Sequence, residues 1–215
     1  MIYYKLESRL VCRIVVPAIR FLAFIGLLFG LSACAHKDIT TLADHQPALD
    51  LAVFFEGKSV AYGIFEDRFG NLRRQFRVNI AGTVDGDTLT LSEDFLYDDG
   101  ERSQRTWVIR KLAANTESGD GVVEYEGNAS DVSGIAKGRM VGNTLNWQYD
   151  IVLDISGSLL EVSFDDWIYQ QDEDVAINRA FVSKFGVEIG SVTLVFLRGQ
   201  TAKAIGPLDL ENWSK

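Results

Sequence analysis

The chain has 215 residues, and 30 acidic against 21 basic side chains give it a net charge of −9. A surface this acidic repels phosphate backbones, so we expect no nucleic-acid binding. It contains two cysteines and two histidines, all before residue 49. Beyond that point, catalysis of the Ser-His-Asp or Cys-His type and metal sites built from His or Cys lack their residues. We therefore expect a protein that is not an enzyme and has no cofactor or metal site.

Residues 1–33 have the pattern of a secretory signal, for which we expect a helix, with four basic residues against one acid, an apolar run over 21–31, and small residues after it. The apolar run is about half of the ~20 residues that span a bilayer. The segment Leu31-Ser32-Ala33-Cys34 resembles the bacterial lipobox. That resemblance implies cleavage before Cys34 and acylation of Cys34, which gives a stable membrane anchor. An ordinary signal peptide with an incidental cysteine is the alternative.

The anchor also indicates a location. Ala35 follows the cysteine, where enteric-type bacteria place Asp to retain a lipoprotein in the inner membrane. We expect the bacterial cell envelope, at the outer membrane and facing the periplasm, with residues 34–48 as a polar tether. Removal of the signal leaves 17 basic and 29 acidic residues in 182, about one domain.

Apolar and polar residues alternate from residue 58 to residue 198, with Gly, Asn and Asp at short intervals, as in an antiparallel β-meander. The sequence leaves open whether residues 49–55 form a short helix or a strand. The ten predicted strands span residues 58–66, 72–83, 87–97, 102–112, 120–128, 131–141, 144–154, 158–170, 174–184 and 190–198. Closure into a lipocalin-like or calycin-like barrel of about eight to ten strands would remove the sheet edges. A two-sheet sandwich is the alternative.

Turn residues predict the strand registers. A turn at Gly142-Asn143 places Met140 opposite Leu145 and Gly138 opposite Trp147. The other predicted pairings are Phe76 with Phe95 across Asp85-Gly86, Ile64 with Phe76 across residues 69–71, and Asp166 with Arg179 across Asp172-Glu173.

The candidate site residues are polar or aromatic groups on these strands: Arg179, Asp166, Arg74, Glu66, Glu93 and Trp167. Asp166 and Arg179 would face each other among apolar residues, and Glu66 would pair with Arg74. A buried ion pair must be well matched to be tolerated, so Asp166–Arg179 is either a structural salt bridge or the anchor of a ligand headgroup. Arginine suits a carboxylate or a phosphate. A pair of carboxylates acting in acid–base hydrolysis is a further alternative.

Several segments together resemble a bacterial lipoprotein family, domain of unknown function family 3833. They are the lipobox, Phe55-Glu56-Gly57, residues 63–70, residues 94–100, residues 164–167, Asn178-Arg179-Ala180 and residues 183–187. The resemblance covers residues 49–198, and the tail 199–215 is additional. It implies no assigned activity and no catalytic residues. Genes of the family often lie beside fatty-acid-modifying enzymes, which implies a role connected with lipids.

The sequence therefore predicts a β-barrel domain over residues 49–198 that binds an apolar ligand, such as a fatty acid or lipid, beside the membrane. An envelope scaffold protein that binds a partner through its outer surface is the alternative, and a carboxylate-based hydrolase or isomerase is a third. The identity of any protein partner stays open.

Overall fold

The structure is a computed structural model that describes residues 37–113, 121–155 and 158–214. The chain divides at Asp38/Ile39, and the second unit, Ile39–Lys215, is compact. The predicted signal helix, Cys34 and His36 lie outside the described residues. Among the described residues, no helix has the length and apolar character to cross a membrane.

The second unit is an antiparallel meander in which each strand pairs with the next and β1 pairs with β10, which closes a barrel. The strands are β1 (Gly57–Asp67), β2 (Leu72–Asp85), β3 (Thr88–Tyr97), β4 (Arg102–Lys111), β5 (Val123–Asn128), β6 (Val132–Val141), β7 (Thr144–Ile155), β8 (Ser158–Gln170), β9 (Val175–Lys184) and β10 (Val187–Leu197). The predicted all-β barrel is confirmed, and the sandwich alternative is wrong. Because the sheet closes on itself, it has no free edge.

The inner wall combines large aromatic rings with residues too small to obstruct them. Gly138 lies opposite Trp147, as predicted. A Cβ atom on Gly138 would lie 2.5 Å from the Trp147 ring, and one on Gly127 would also lie 2.5 Å from it. Glycine at these two positions therefore makes room for the indole inside the barrel.

The registers of two hairpins keep the predicted faces. The Gly142-Asn143 turn is confirmed, with Met140 opposite Leu145. Between β2 and β3 the turn falls one residue later, at Gly86-Asp87, so Phe76 faces Tyr97 and not Phe95. Moving the turn by one residue moves the pairing by two, and because side chains alternate with a period of two, every residue stays on its predicted face.

The register between β1 and β2 differs from the prediction by one residue, which reverses the faces of β1. Phe76 is paired with Gly63, not with Ile64. A Cβ atom on residue 63 would lie 2.3 Å from the Phe76 ring, so the strand turns its glycine inward beneath that ring. Tyr62 lies on the outer face and is 42% exposed.

Two short α-helices and one 3-10 helix, Ile39–Leu42, accompany the strands in the described residues. Helix α1 (Leu51–Phe55) begins at Asp50, whose side chain accepts a hydrogen bond from the Val53 amide. The helix packs Leu51, Phe54 and Phe55 into the core. Of the two alternatives for residues 49–55, the helix is therefore confirmed over Leu51–Phe55, and Leu51 and Phe55 line the interior of the barrel.

The C-terminal tail is part of the folded unit. Helix α2 (Gly199–Ile205) is followed by an extended segment whose Leu208 packs with Val60 and Ala202. Asn79 of β2 holds this segment by two hydrogen bonds with the Leu208 backbone, of 2.9 and 2.8 Å. The tail therefore lies against the outer face of β1 and β2.

Candidate internal binding site

The barrel encloses a cavity of about 550 Å³. Leu51 and Phe55 of α1 line it at one end. Most of the wall is apolar, and it includes the aromatic residues Phe65, Phe76, Phe95, Tyr97, Trp107, Trp147, Tyr149, Phe164 and Phe196. Its volume lies within the range of about 300–1,000 Å³ that is usual for small-molecule pockets.

Six polar side chains on the cavity wall form what we call the internal polar cluster: Glu93, Arg105, Asp131, Tyr149, Asp166 and Asn178. Glu93 and Arg105 are direct partners on β3 and β4. Glu93 also interacts electrostatically with Asp131 and Asp166. The members thus come from five strands and one turn, and they meet inside the barrel.

Asp166 is the most enclosed carboxylate of this cluster. Its Oδ1 accepts a short hydrogen bond from Asn178 Nδ2 on the neighbouring strand. The nearby Tyr149 hydroxyl also favours the charged form of this carboxyl group. Burial outweighs both interactions and raises the pKa of Asp166 to about 6.

Glu93 is likewise a carboxyl group inside the barrel with a raised pKa. Its side chain is partly accessible from the cavity but is enclosed by the barrel wall. Burial raises the pKa of Glu93 to about 7, although the positive charge of Arg105 acts in the opposite direction. Arg105 is already engaged, because its Nε and Nη2 donate to Asp131 Oδ2 at 3.0 and 2.6 Å. Arg105 therefore offsets only part of the negative charge of three carboxylates.

Three acceptor atoms of the cluster lack a hydrogen-bond partner among the described residues: Asp131 Oδ1, Asp166 Oδ2 and Asn178 Oδ1. All three belong to residues that line the cavity. A buried polar atom without a partner costs about 1–3 kcal/mol. A hydrogen-bond donor from a molecule in the cavity that reached these buried atoms would remove this cost.

Of the predicted site residues, Asp166, Glu93 and Arg74 line the cavity. Arg74 lies near the β3–β4 turn, with its guanidinium stacked 3.6 Å from the Tyr97 ring centre. It pairs with Asp99 at 2.8 Å and with Glu101 at 2.5 Å, so the predicted pairing with Glu66 is wrong. A β-bulge at Phe65/Glu66 shifts the register there, and Glu66 is not a lining residue.

Arg179 lies on the outside of the barrel, and its predicted pairing with Asp166 is wrong. Asp166 faces Ala180, while Arg179 faces Trp167. The reason is the length of the turn. Asp172 Oδ1 accepts hydrogen bonds from the amides of Asp174 and Val175, which makes a three-residue turn instead of the expected two. The added residue reverses the faces of β9 and places Asn178 inside.

Trp167 is buried, but on the outer side of the wall. It packs with Val141 and with Ile39, which belongs to the 3-10 helix Ile39–Leu42. Its indole N–H donates to Asp165 at 3.1 Å. Trp167 is therefore not placed to contact a molecule in the cavity, whereas Trp107 and Trp147 are.

Sequence reasoning missed four members of the internal polar cluster: Arg105, Asp131, Tyr149 and Asn178. Arg105 carried a usable signal, because it alternates with Trp107 and Ile109 on one face of β4. Asn178 was missed because the predicted β8–β9 register placed it on the outer face of the barrel. Asp131 precedes β6 in a turn, where aspartate is common for local reasons.

The family model described as "Protein of unknown function (DUF3833)" matches residues 28–198. The chain belongs to the DUF3833 family. This confirms the resemblance inferred from its sequence segments, and the tail that holds α2 lies beyond the matched region. The family description assigns no activity to the barrel.

Three solved structures are similar to this DUF3833 chain at low identity. An S-type phycobiliprotein lyase, CPES, from Guillardia theta is 10% identical with a TM-score of 0.48, and the alignment covers 67% of this chain and 88% of the lyase. A de novo designed fluorescence-activating β-barrel is 12% identical with a TM-score of 0.37, covering 70% and 99%. EF1p2_mFAP2b bound to DFHBI is 9% identical with a TM-score of 0.36, covering 68% and 94%. All three TM-scores are below 0.5. No curated protein matches this chain.

In the described part of the chain, no three His, Cys, Asp or Glu side chains are arranged to hold a metal ion. The internal polar cluster is instead an arrangement of hydrogen-bonding groups at the side of an apolar cavity.

Proposed function

We propose that this DUF3833 protein is a binding protein that holds a small, mainly apolar molecule inside its barrel. The observation that carries the proposal is the cavity of about 550 Å³, whose wall combines apolar and aromatic side chains with one group of polar residues. Ligand sites typically have this composition, in which the apolar wall supplies affinity and a few polar groups fix orientation. An acyl chain or a ring system fits such a wall.

The proposal also includes a location for the protein in the cell. Acylation of Cys34 would anchor the protein in the bacterial envelope, at the periplasmic face of the outer membrane, through the tether of residues 34–48. A barrel held there would take up or deliver apolar molecules that water does not dissolve. Binding, not turnover, is the role we assign to the cavity.

Quenching of tryptophan fluorescence by bromoundecanol tests the proposal in the full-length protein. Bromine quenches an indole that it touches, and Trp107 and Trp147 line the cavity. We expect saturable quenching in the wild-type protein and in the Trp167→Phe/Trp213→Phe variant, which keeps both cavity indoles. In Trp107→Phe/Trp147→Phe the quenching should be lost.

The two double variants are a matched pair, since each removes two of the four tryptophans. Trp213 lies on the outside, where Arg77 stacks 4.5 Å from its ring centre. Absence of quenching in the wild-type protein would contradict the proposal. Equal quenching in both variants would also contradict it, because the alkyl chain would then bind to the outer surface.

A further inference from the structure

We propose that the polar end of the molecule held in the barrel is a protonated amine, which donates hydrogen bonds to Asp166, Asn178 and Asp131. This inference rests on the proposed function and specifies its ligand class. It reverses the expectation from sequence, in which Arg179 inside the barrel would have favoured a carboxylate or a phosphate.

The first argument is the balance of unused hydrogen-bonding atoms. The cluster offers three acceptors without partners, namely Asp131 Oδ1, Asp166 Oδ2 and Asn178 Oδ1. Among the fully buried atoms of the described lining residues, the one donor without a partner is Arg74 Nε, and that guanidinium is already paired near the β3–β4 turn. A carboxylate ligand brings only acceptors, whereas an ammonium group brings three donors and no acceptor.

The second argument is charge. Within the internal polar cluster, three carboxyl groups, Glu93, Asp131 and Asp166, lie beside one guanidinium, Arg105. Both described hydrogen bonds of Arg105 are donated to Asp131. Burying an uncompensated charge is costly, so a cation from the ligand would stabilise the two remaining carboxylates, and an anion would meet repulsion.

The third argument is the aromatic surroundings. Trp107 makes edge-to-face contacts with Trp147, at 5.6 Å between ring centres, and with Tyr149, at 5.1 Å. Tyr149 is itself a member of the polar cluster. Aromatic faces attract cations, and aromatic cages recognise quaternary ammonium ligands.

Competition among three ligands with the same chain tests the inference without any mutation. Dodecylamine, dodecanol and dodecanoate each compete with bromoundecanol for the wild-type, full-length protein at pH 8, where the amine is protonated and the acid ionised. We expect dodecylamine to bind at least about tenfold more tightly than dodecanoate, which corresponds to about 1.4 kcal/mol. Dodecanol, which has one donor and no charge, should lie between them.

Two carboxylate variants locate the interaction. Asp166→Asn should weaken dodecylamine binding by about tenfold and change dodecanol binding less, since only the amine uses the charge. Asp94→Asn is the matched control, because Asp94 is exposed and accepts a hydrogen bond from Gln104 at 2.6 Å. It should leave all three affinities unchanged.

The pH dependence gives a second readout on the same protein. Glu93 and Asp166 interact electrostatically, and Arg105, Asp131 and Tyr149 are the other charged or titratable groups that act on them, with Asp165 adjacent to Asp166 in sequence. The raised pKa values of Glu93 and Asp166 mean that both carboxyls gain protons as the pH falls through about 7 and 6. Dodecylamine affinity should therefore fall from pH 8 to pH 5, whereas dodecanol affinity should fall less.

The outcomes separate this inference from the proposed function. If bromoundecanol binds but dodecanoate equals or exceeds dodecylamine, the amine inference is wrong and the cavity still binds an apolar chain. Equal affinity for all three ligands would mean that water satisfies the three oxygen atoms, which also overturns the inference. If no alkyl ligand binds, the proposed function fails first.

Discussion

At the scale of one residue, Asp166 is a carboxyl group whose ionisation inside the barrel is unfavourable. Its carboxyl group has one oxygen bonded to Asn178 and one without a described partner. Burial raises its pKa from 3.8 to about 6, so the native state binds a proton more tightly than the unfolded chain does. Stability therefore falls as the pH rises through the interval between these two values.

Asp166→Asn removes this titration. Between pH 4 and pH 7 the stability of the variant should rise relative to the wild-type protein by on the order of 3 kcal/mol, because one pKa unit corresponds to about 1.4 kcal/mol. Denaturant unfolding of both proteins across this pH range measures the difference. A difference that does not change with pH would show that Asp166 is not a buried acid.

Residues 178 and 179 test the β8–β9 register, because consecutive residues of a strand lie on opposite faces. Asn178→Ala removes the donor to Asp166 and should cost about 1–3 kcal/mol at pH 7. Arg179→Ala, on the exposed outer face, should stay within about 0.5 kcal/mol of the wild type. Urea unfolding of the two variants decides between the registers, since the pairing predicted from sequence requires the larger loss at Arg179.

At the scale of elements, helix α1 packs closely on β2 because residue 82 of that strand is a glycine. A Cβ atom on residue 82 would lie 1.9 Å from the Phe55 carbonyl oxygen and 3.1 Å from Leu91. The obstacle is backbone, so the helix itself would have to move. Phe55 also packs edge-to-face on Phe196, at 5.2 Å between ring centres, which fixes the helix against two strands.

Gly82→Ala should therefore displace α1 and lower the free energy of unfolding by about 1–3 kcal/mol, as overpacking does. Hydrogen exchange at the Phe54 and Glu56 amides, which close the helix, should speed up in the variant. Ala81→Ser, on the exposed face of the same strand, is the control and should change neither quantity. Unchanged exchange and stability in Gly82→Ala would contradict this packing.

The spans of the strands were predictable from sequence. Which side chains of β1 and β9 point into the barrel was not. All ten strands overlap their predicted spans, because period-two alternation and turn residues mark them directly. The face on which a side chain lies depends on whether the preceding turn or bulge contains an odd or an even number of residues. The three-residue turn after Gln171 and the bulge at Phe65/Glu66 are set by side-chain hydrogen bonds and packing between strands, which strand alternation does not encode. Arg179 was therefore placed inside and Asn178 outside.

At the scale of the whole molecule, closure of the sheet creates the cavity. Ten strands without a free edge surround an interior wider than their side chains fill, and glycine at positions 127 and 138 makes room for Trp147. An eight-stranded barrel can already hold one small ligand, and the diameter grows with the number of strands. The sequence predicted this architecture but not the polar cluster, which depends on residues from six separate segments meeting inside.

One pair of variants tests most directly whether a ligand occupies the lumen. Leu194 lines the cavity and is half-buried, whereas Thr193 is the preceding residue on the opposite face of β10. Leu194→Trp would place an indole in the cavity, and Thr193→Trp would place the same group outside. Titration calorimetry with bromoundecanol on the full-length wild type should give about one site per chain. We expect binding to be lost in Leu194→Trp and retained in Thr193→Trp. Equal binding by both variants, or no binding by the wild type, would contradict a ligand inside the barrel.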